Sequence, residues 1–209
     1  MFRLFITRHG QTVWNTEERM QGWKDSALTQ NGIDHALSLG QRLKDISFQA
    51  VYASPSGRTA RTAELICKGR KTLITYDDDL REMNMGDWEG KTKTHITENF
   101  AVDYHSFGST PHLFKSANGE NFSDLRKRVS RFLERVKMEQ SAGDILVVTH
   151  TITIKSLLAI VKGLPIEQVW GTTFIHDTSL SIVEIDVEND EICVVMEGDV
   201  AHKKNLNRV

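Results

Sequence analysis

An apolar run of strand length, Phe2-Arg3-Leu4-Phe5-Ile6-Thr7, leads directly into Arg8-His9-Gly10-Gln11-Thr12. A buried strand that ends in a cation, an imidazole and a glycine sets reactive groups at the carboxyl edge of a sheet, where α/β folds place their ligands. Gly10 allows close backbone approach, and Thr12 can open a helical turn whose free N–H groups attract an anion. An imidazole beside a guanidinium in that position points to a nucleophile facing phosphate.

The rest of the chain alternates strands with helices. Thr29 is a good N-cap for a helix with Ile33, Ala36, Leu37 and Leu43 on one face. Ala50–Ala53 reads as a short buried strand, and a helix from about Arg58 to Cys67 stops near Gly69. Thr72–Thr75 forms a third strand, and Asp77-Asp78-Asp79 a solvated turn. Residues 83–120 read as irregular, with Trp88, Phe100, Tyr104, Phe107 and Phe114 spread between glycines. A long excursion of this kind is expected to cover a site and supply an apolar outer pocket. Asn121 caps a helix with Phe122, Leu125, Val129, Phe132 and Val136 at helical spacing. Its basic residues Arg126, Lys127, Arg128, Arg131, Arg135 and Lys137 are broken by Glu134 and Glu139, so they read as a solvated face.

Ile145–Thr149 is a fourth strand and delivers His150 to its end. A helix over about Ile152–Lys162 stops at Gly163, and Pro165 opens the next turn. Ser179–Val187 and Glu191–Met196 read as a hairpin about Glu188-Asn189-Asp190. The alternation predicts a layered α/β architecture.

At 209 residues with 39% hydrophobic and 26% charged side chains, a single domain over 1–209 with a full core is expected. A net charge of −2 argues against general affinity for nucleic acid or acidic membranes. The first apolar run is too short for a signal peptide or a membrane span. Cys67 and Cys193, read as two core thiols, fit a reducing compartment, hence the cytosol. The remaining histidines show no paired metal-ligand spacing, so neither metal nor cofactor is expected. Trp14, Trp23 and Trp88 read as packing residues.

Arg8-His9-Gly10, Asn15, Arg19, Gln21-Gly22, Arg58 in Ser54-Pro55-Ser56-Gly57-Arg58-Thr59, Glu82 in the stretch Leu80–Gly90, and His150 after its apolar run occur in an order that resembles the histidine phosphatase superfamily, which includes the phosphoglycerate mutases. Within it the chain is most similar to the short bacterial broad-specificity phosphatases, whose C-terminal stretch resembles Glu197–His202. The resemblance implies an α/β/α sandwich about a six-stranded mixed, mostly parallel sheet, with the strands before His9 and His150 adjacent at its centre. It also implies that His150 and Asn15 complete a phosphate pocket built on Arg8 and Arg58, whose forked donors suit phosphate oxygens. Gln21 is expected near the phosphate. His9 would attack through one ring nitrogen while a backbone carbonyl holds the other N–H. Glu82 would protonate the departing oxygen. Thr151 stands where relatives usually carry glycine, and would narrow the phosphate pocket or add a hydrogen bond.

The expected function is a metal-independent phosphomonoesterase, acting on small-molecule phosphate monoesters through a phosphohistidine. Two rivals remain. A phosphoglycerate mutase would return the phosphoryl group to a hydroxyl, but mutases carry a longer insertion before the second histidine. Here that interval is short and holds one proline, Pro111. A noncatalytic phosphate-binding regulatory module would need neither His9 nor Glu82.

Overall fold

The computed structural model of the chain describes residues 1–205. The strands are β1 (Phe2–Arg8), β2 (Phe48–Ala53), β3 (Ile74–Tyr76), β4 (Gly143–Thr149), β5 (Leu180–Asp186) and β6 (Glu191–Asp199). They form one six-stranded sheet in the order β3-β2-β4-β1-β5-β6. The β3/β2, β2/β4 and β4/β1 pairings are parallel, and β5 runs against both of its neighbours. The helices are α1 (Val13–Thr16), α2 (Gln30–Arg42), α3 (Gly57–Ile66), α4 (Lys93–Asn99), α5 (Ala101–Ser109), α6 (Phe122–Glu139) and α7 (Thr151–Val161).

Period-two alternation along the central strands divides the core into two layers. Phe2, Leu4 and Ile6 of β1, with Ile145 and Val147 of β4, pack against α6 and α7. Phe5, Leu146 and Val148 point to the opposite face, against Ala36, Leu39, Ala63 and Ile66 of α2 and α3. The chain therefore leaves β1 towards one face and leaves the adjacent β4 towards the other. That reversal opens a crevice at the carboxyl ends of both strands. Helix α7 is buried from Ile152 to Ala159, and each fully buried leucine in it contributes roughly 1.5–3 kcal/mol. Among the described residues no helix is long and apolar enough to cross a membrane.

Several expectations change. The 83–120 segment is largely helical, not irregular: a 3-10 turn at Gly86–Trp88 leads into α4 and α5. Phe100, Tyr104 and Phe107 are spaced at one helical face, and they meet Trp88 at ring-centroid distances of 5.6–6.4 Å. Most of these aromatics belong to the core rather than to an outer pocket. In α2 the buried residues are Gly32, Ala36 and Leu39; Leu37 lies on the exposed side.

Asp77 and Asp79 do not form a solvated turn, because α6 packs beside them and supplies Arg131 and Arg135 as ion-pair partners. Cys67 is buried, but Cys193 is exposed on the outermost strand. Trp23 is 46% exposed. Its indole N–H donates to the Glu82 carbonyl at 2.9 Å.

Candidate active site

The parallel register of β1 and β4 sets Arg8 opposite Thr149, and the His9 N–H donates to the Thr149 carbonyl at 2.9 Å. The next residue on each strand then converges. The His9 and His150 rings stand edge to face with centroids 5.3 Å apart. A cavity of about 200 Å³ opens at this edge. Its polar wall comprises Arg8, His9, Asn15, Arg19, Gln21, Arg58, Glu82 and Thr151. The apolar wall, made chiefly of Met20, Met85, Phe107, Ile152 and Trp170, was not foreseen from sequence, apart from the placing of Phe107 in an outer pocket.

His9 is buried, and its Nδ1 lies 2.8 Å from the Gly10 carbonyl. A carbonyl only accepts, so Nδ1 carries the proton and the Nε2 lone pair is free. Burial, reinforced by the charges of Arg58 and Arg8, holds the ring's pKa well below 6.5. The ring is thus neutral at physiological pH, as a nucleophile must be. Gly10 does admit a close backbone approach, but from α2: a Cβ at Gly10 would lie 2.5 Å from the Gly32 carbonyl oxygen.

Arg58, at the start of α3, is 2% exposed. Its Nη1 donates to the Lys24 carbonyl at 2.7 Å and to Asp25 Oδ1 at 2.9 Å; Nη2 donates to the Gly22 carbonyl at 2.7 Å. Arg8 donates through Nη1 to the Ile175 carbonyl at 3.1 Å. The Nε–H of each guanidinium is buried without an acceptor. Two orphaned, charged donors on side chains that line one cavity suit an acceptor-rich anion. Burial lowers the pKa of both arginines, and nearby carboxylates oppose the shift.

His150 departs from its expected place. It is fully buried behind Arg58 and does not line the cavity. Arg58 Nη2 donates to its Nδ1 at 3.1 Å, so Nε2 bears the proton and donates to Ser54 Oγ at 2.8 Å. Both ring nitrogens are occupied by protein.

Glu82 is buried at the N-terminus of α7. Its Oε1 accepts from the Met83 N–H at 2.9 Å and from the Thr153 N–H at 3.3 Å; the Thr153 hydroxyl, also 3.3 Å away, gives its one proton to the Arg81 carbonyl at 2.7 Å. Oε2 accepts only from the Ile152 N–H, at 3.2 Å. The backbone on either side is held by Arg128, which donates to the carbonyls of Asp79, Arg81 and Glu82 while pairing with both oxygens of Glu120. Arg128 is not on a solvated face. Its position, three after Leu125 and four before Phe132, places it on the apolar stripe of α6, and that spacing was the signal to read.

Asn15 forms a capping box with Thr12, its Oδ1 accepting from the Thr12 N–H at 3.0 Å, and it also lines the cavity. The Gln21 Oε1 is buried without a partner. Thr151 is the first residue of α7. Among the described residues no three His, Cys, Asp or Glu side chains converge as a metal site.

Comparison with known proteins agrees with this geometry. The profile of the histidine phosphatase superfamily (branch 1) matches residues 4–196. A Salmonella choleraesuis protein named probable phosphoglycerate mutase GpmB is 31% identical, over 97% of this chain and 95% of its own. The Bacillus stearothermophilus YhfR structure superposes with a TM-score of 0.92 at 39% identity, covering 97% of this chain and 100% of that one. A putative alpha-ribazole-5'-P phosphatase from Escherichia coli gives 0.87 at 28% identity, covering 96% and 97%. A profile match that takes in both histidine-bearing strands, Arg58 and Glu82 leaves one assignment: the chain belongs to the histidine phosphatase superfamily.

Proposed function

We propose that the protein is a phosphatase of broad specificity that hydrolyses small phosphate monoesters through a phosphohistidine at His9, without a metal. One observation carries this reading. A single cavity joins a neutral imidazole with a free Nε2 to two guanidiniums whose Nε–H groups lack acceptors.

Arg8 and Arg58 neutralise the phosphate dianion and the charge that spreads over its oxygens during transfer. Asn15, Gln21 and Thr151 line the same cavity. His150 acts from behind, by holding Arg58. Nε2 of His9 attacks phosphorus as the bond to the ester oxygen breaks, and the Gly10 carbonyl supports the charge that develops on the ring. Glu82 in its acid form gives the leaving oxygen a proton, through Oε2, the oxygen with a single partner. The resulting carboxylate takes a proton from water. The water oxygen bonds to phosphorus, the N–P bond breaks, and its electron pair returns to Nε2.

The apolar wall favours varied leaving groups, because such contacts are nondirectional. The relatives also include a probable phosphoglycerate mutase. A mutase must hold the carboxylate of its substrate. Arg19 is the further cation lining the cavity, and two of its donors are turned away to Glu17 at 2.6 Å and the Gly90 carbonyl at 2.9 Å. That favours hydrolysis. Two free cysteines fit a reducing cytosol.

The test is rapid quenching with a 32P-labelled monoester. An acid-labile, base-stable phosphoenzyme should form in the parent and be absent in His9→Ala. Turnover of His9→Ala within a few-fold of the parent would overturn the mechanism. Product analysis with 3-phosphoglycerate and bisphosphoglycerate distinguishes the mutase, which would yield isomer instead of free phosphate.

A further inference from the structure

Glu89 has no place in the chemistry above, yet it is 9% exposed, and its carboxylate accepts three backbone N–H bonds. Oε1 takes the N–H of Trp23 at 2.8 Å and of Met85 at 3.1 Å; Oε2 takes that of Lys24 at 2.9 Å. The Lys24 ammonium goes to the Glu89 carbonyl, not to the carboxylate. A buried carboxylate held by amides alone needs a counter-charge nearby, or its desolvation is left uncompensated.

The counter-charge lies on the far side of the same loop. The Gly22–Trp23 peptide offers its N–H to Glu89 and its C=O to Arg58 Nη2. Lys24 likewise turns its N–H to Glu89 and its C=O to Arg58 Nη1. The Gly22–Trp23 amide dipole is therefore aligned between the carboxylate and the guanidinium, each of its hydrogen bonds polarising the other, while Lys24 ties two successive peptides to the same two groups. Gly22 permits the contact. Its φ is +55°, and a Cβ there would lie 2.1 Å from Glu89 Oε1. Glu89 is also among the carboxylates whose charge offsets the burial of Arg58.

We infer that Glu89 is a positioning residue for oxyanion binding: through the loop 22–24 it fixes the guanidinium of Arg58 at the cavity wall, with its Nε–H left without a protein acceptor. This rests on the cavity being a phosphate site.

The experiment is a double-mutant cycle on Glu89→Gln and Arg58→Ala, read by calorimetric titration with vanadate and by the denaturant midpoint of the unliganded protein. Glu89→Gln should weaken vanadate by about tenfold or more in the parent, the scale of a lost hydrogen bond to a charged group. It should weaken it by less than about twofold where Arg58 is already gone, because the route runs through that side chain. The two substitutions should also be non-additive in the denaturant midpoint, which needs no ligand. If Glu89→Gln does not fold, Glu89→Asp takes its place and should give a smaller loss with the same non-additivity. Equal losses in both backgrounds, or additivity in both readouts, would make Glu89 a general support of the loop and overturn the inference. If the parent itself fails to bind vanadate, the phosphate reading of the cavity falls, and the inference with it.

Discussion

Arg58 donates from Nη2 to Nδ1 of His150, and this contact fixes the tautomer of a ring that never reaches the cavity. His9 has the opposite tautomer, protonated on Nδ1 against the Gly10 carbonyl. Protonation of His150 would set two donors against each other at 3.1 Å. Burial and the neighbouring arginines hold both rings well below the ordinary 6.5.

The first prediction is spectroscopic. At pH 6.5, where a free imidazole is half charged, nitrogen NMR should show both rings neutral, with His9 carrying its proton on Nδ1 and His150 on Nε2. Since both pKa values are depressed, the charged forms should appear only as the pH falls well below 6.5. Titration of either ring at the ordinary value would remove the basis for a neutral nucleophile.

Arg128 carries the second prediction. Replacing it with Met leaves the partly buried Glu120 without its ion-pair partner and three carbonyls short of a donor. The expected destabilisation is about 3–5 kcal/mol, the range for breaking a buried pair. Urea unfolding checks this, and a loss below about 1 kcal/mol would return Arg128 to the solvated face.

Arg128 also marks where the sequence stopped being legible. Both histidines and their neighbouring strands follow from apolar runs that end in polar residues, a local signal. So do the caps at Thr29 and Asn121, which the structure confirms. The second ring of contacts is not local. Glu89 meets Trp23 and Lys24 across more than sixty positions, and Ser54 meets His150 across ninety-six. Nothing in a window of ten residues distinguishes those side chains from surface polar ones. The helices of 93–109 are hidden for another reason: glycines at 86, 90 and 108 mask the aromatic period of Phe100, Tyr104 and Phe107. A strand-end position does not say which way a side chain turns: His150 stands at the N-cap position of α7, yet its ring is buried and held by Arg58 and Ser54.

A third prediction concerns the C-terminal His202. It is 3% exposed, its Nε2 meets Thr178 Oγ1 at 3.2 Å, and its Nδ1 has no partner. Burial, with smaller help from Arg42, lowers its pKa to about 4. The unfolded chain therefore binds a proton from about pH 6.5 downward, while the fold excludes it until about 4. Stability should be fully present above pH 6.5 and decline as pH falls through that window, by an amount on the order of 3 kcal/mol. His202→Gln should flatten the decline by about one proton, leaving the share due to His9 and His150. An unchanged slope between pH 6.5 and 4 would show that His202 does not contribute.

The last prediction tests Glu82 as the acid. Its Oε1 accepts two backbone N–H bonds, from Met83 and Thr153, and Oε2 only one, from Ile152, so Oε2 is the oxygen with more room for a transferable proton. If Glu82 donates that proton to the leaving oxygen, the benefit must scale with how badly the oxygen needs it. An alkyl alkoxide is strongly basic and leaves poorly unless protonated, whereas a nitrophenolate leaves as the anion. Glu82→Gln keeps the shape and the α7 contacts of one oxygen but has no carboxylic proton to give. It should lower kcat/KM for alkyl phosphates by about 10²–10⁴-fold and leave nitrophenyl phosphate far less affected. kcat/KM is the quantity to compare because it covers steps only up to the first irreversible one, which excludes hydrolysis of the phosphohistidine when transfer to His9 does not reverse. Equal losses on both substrates would mean that Glu82 works by holding the start of α7 and the polar wall of the cavity, and that another group supplies the proton.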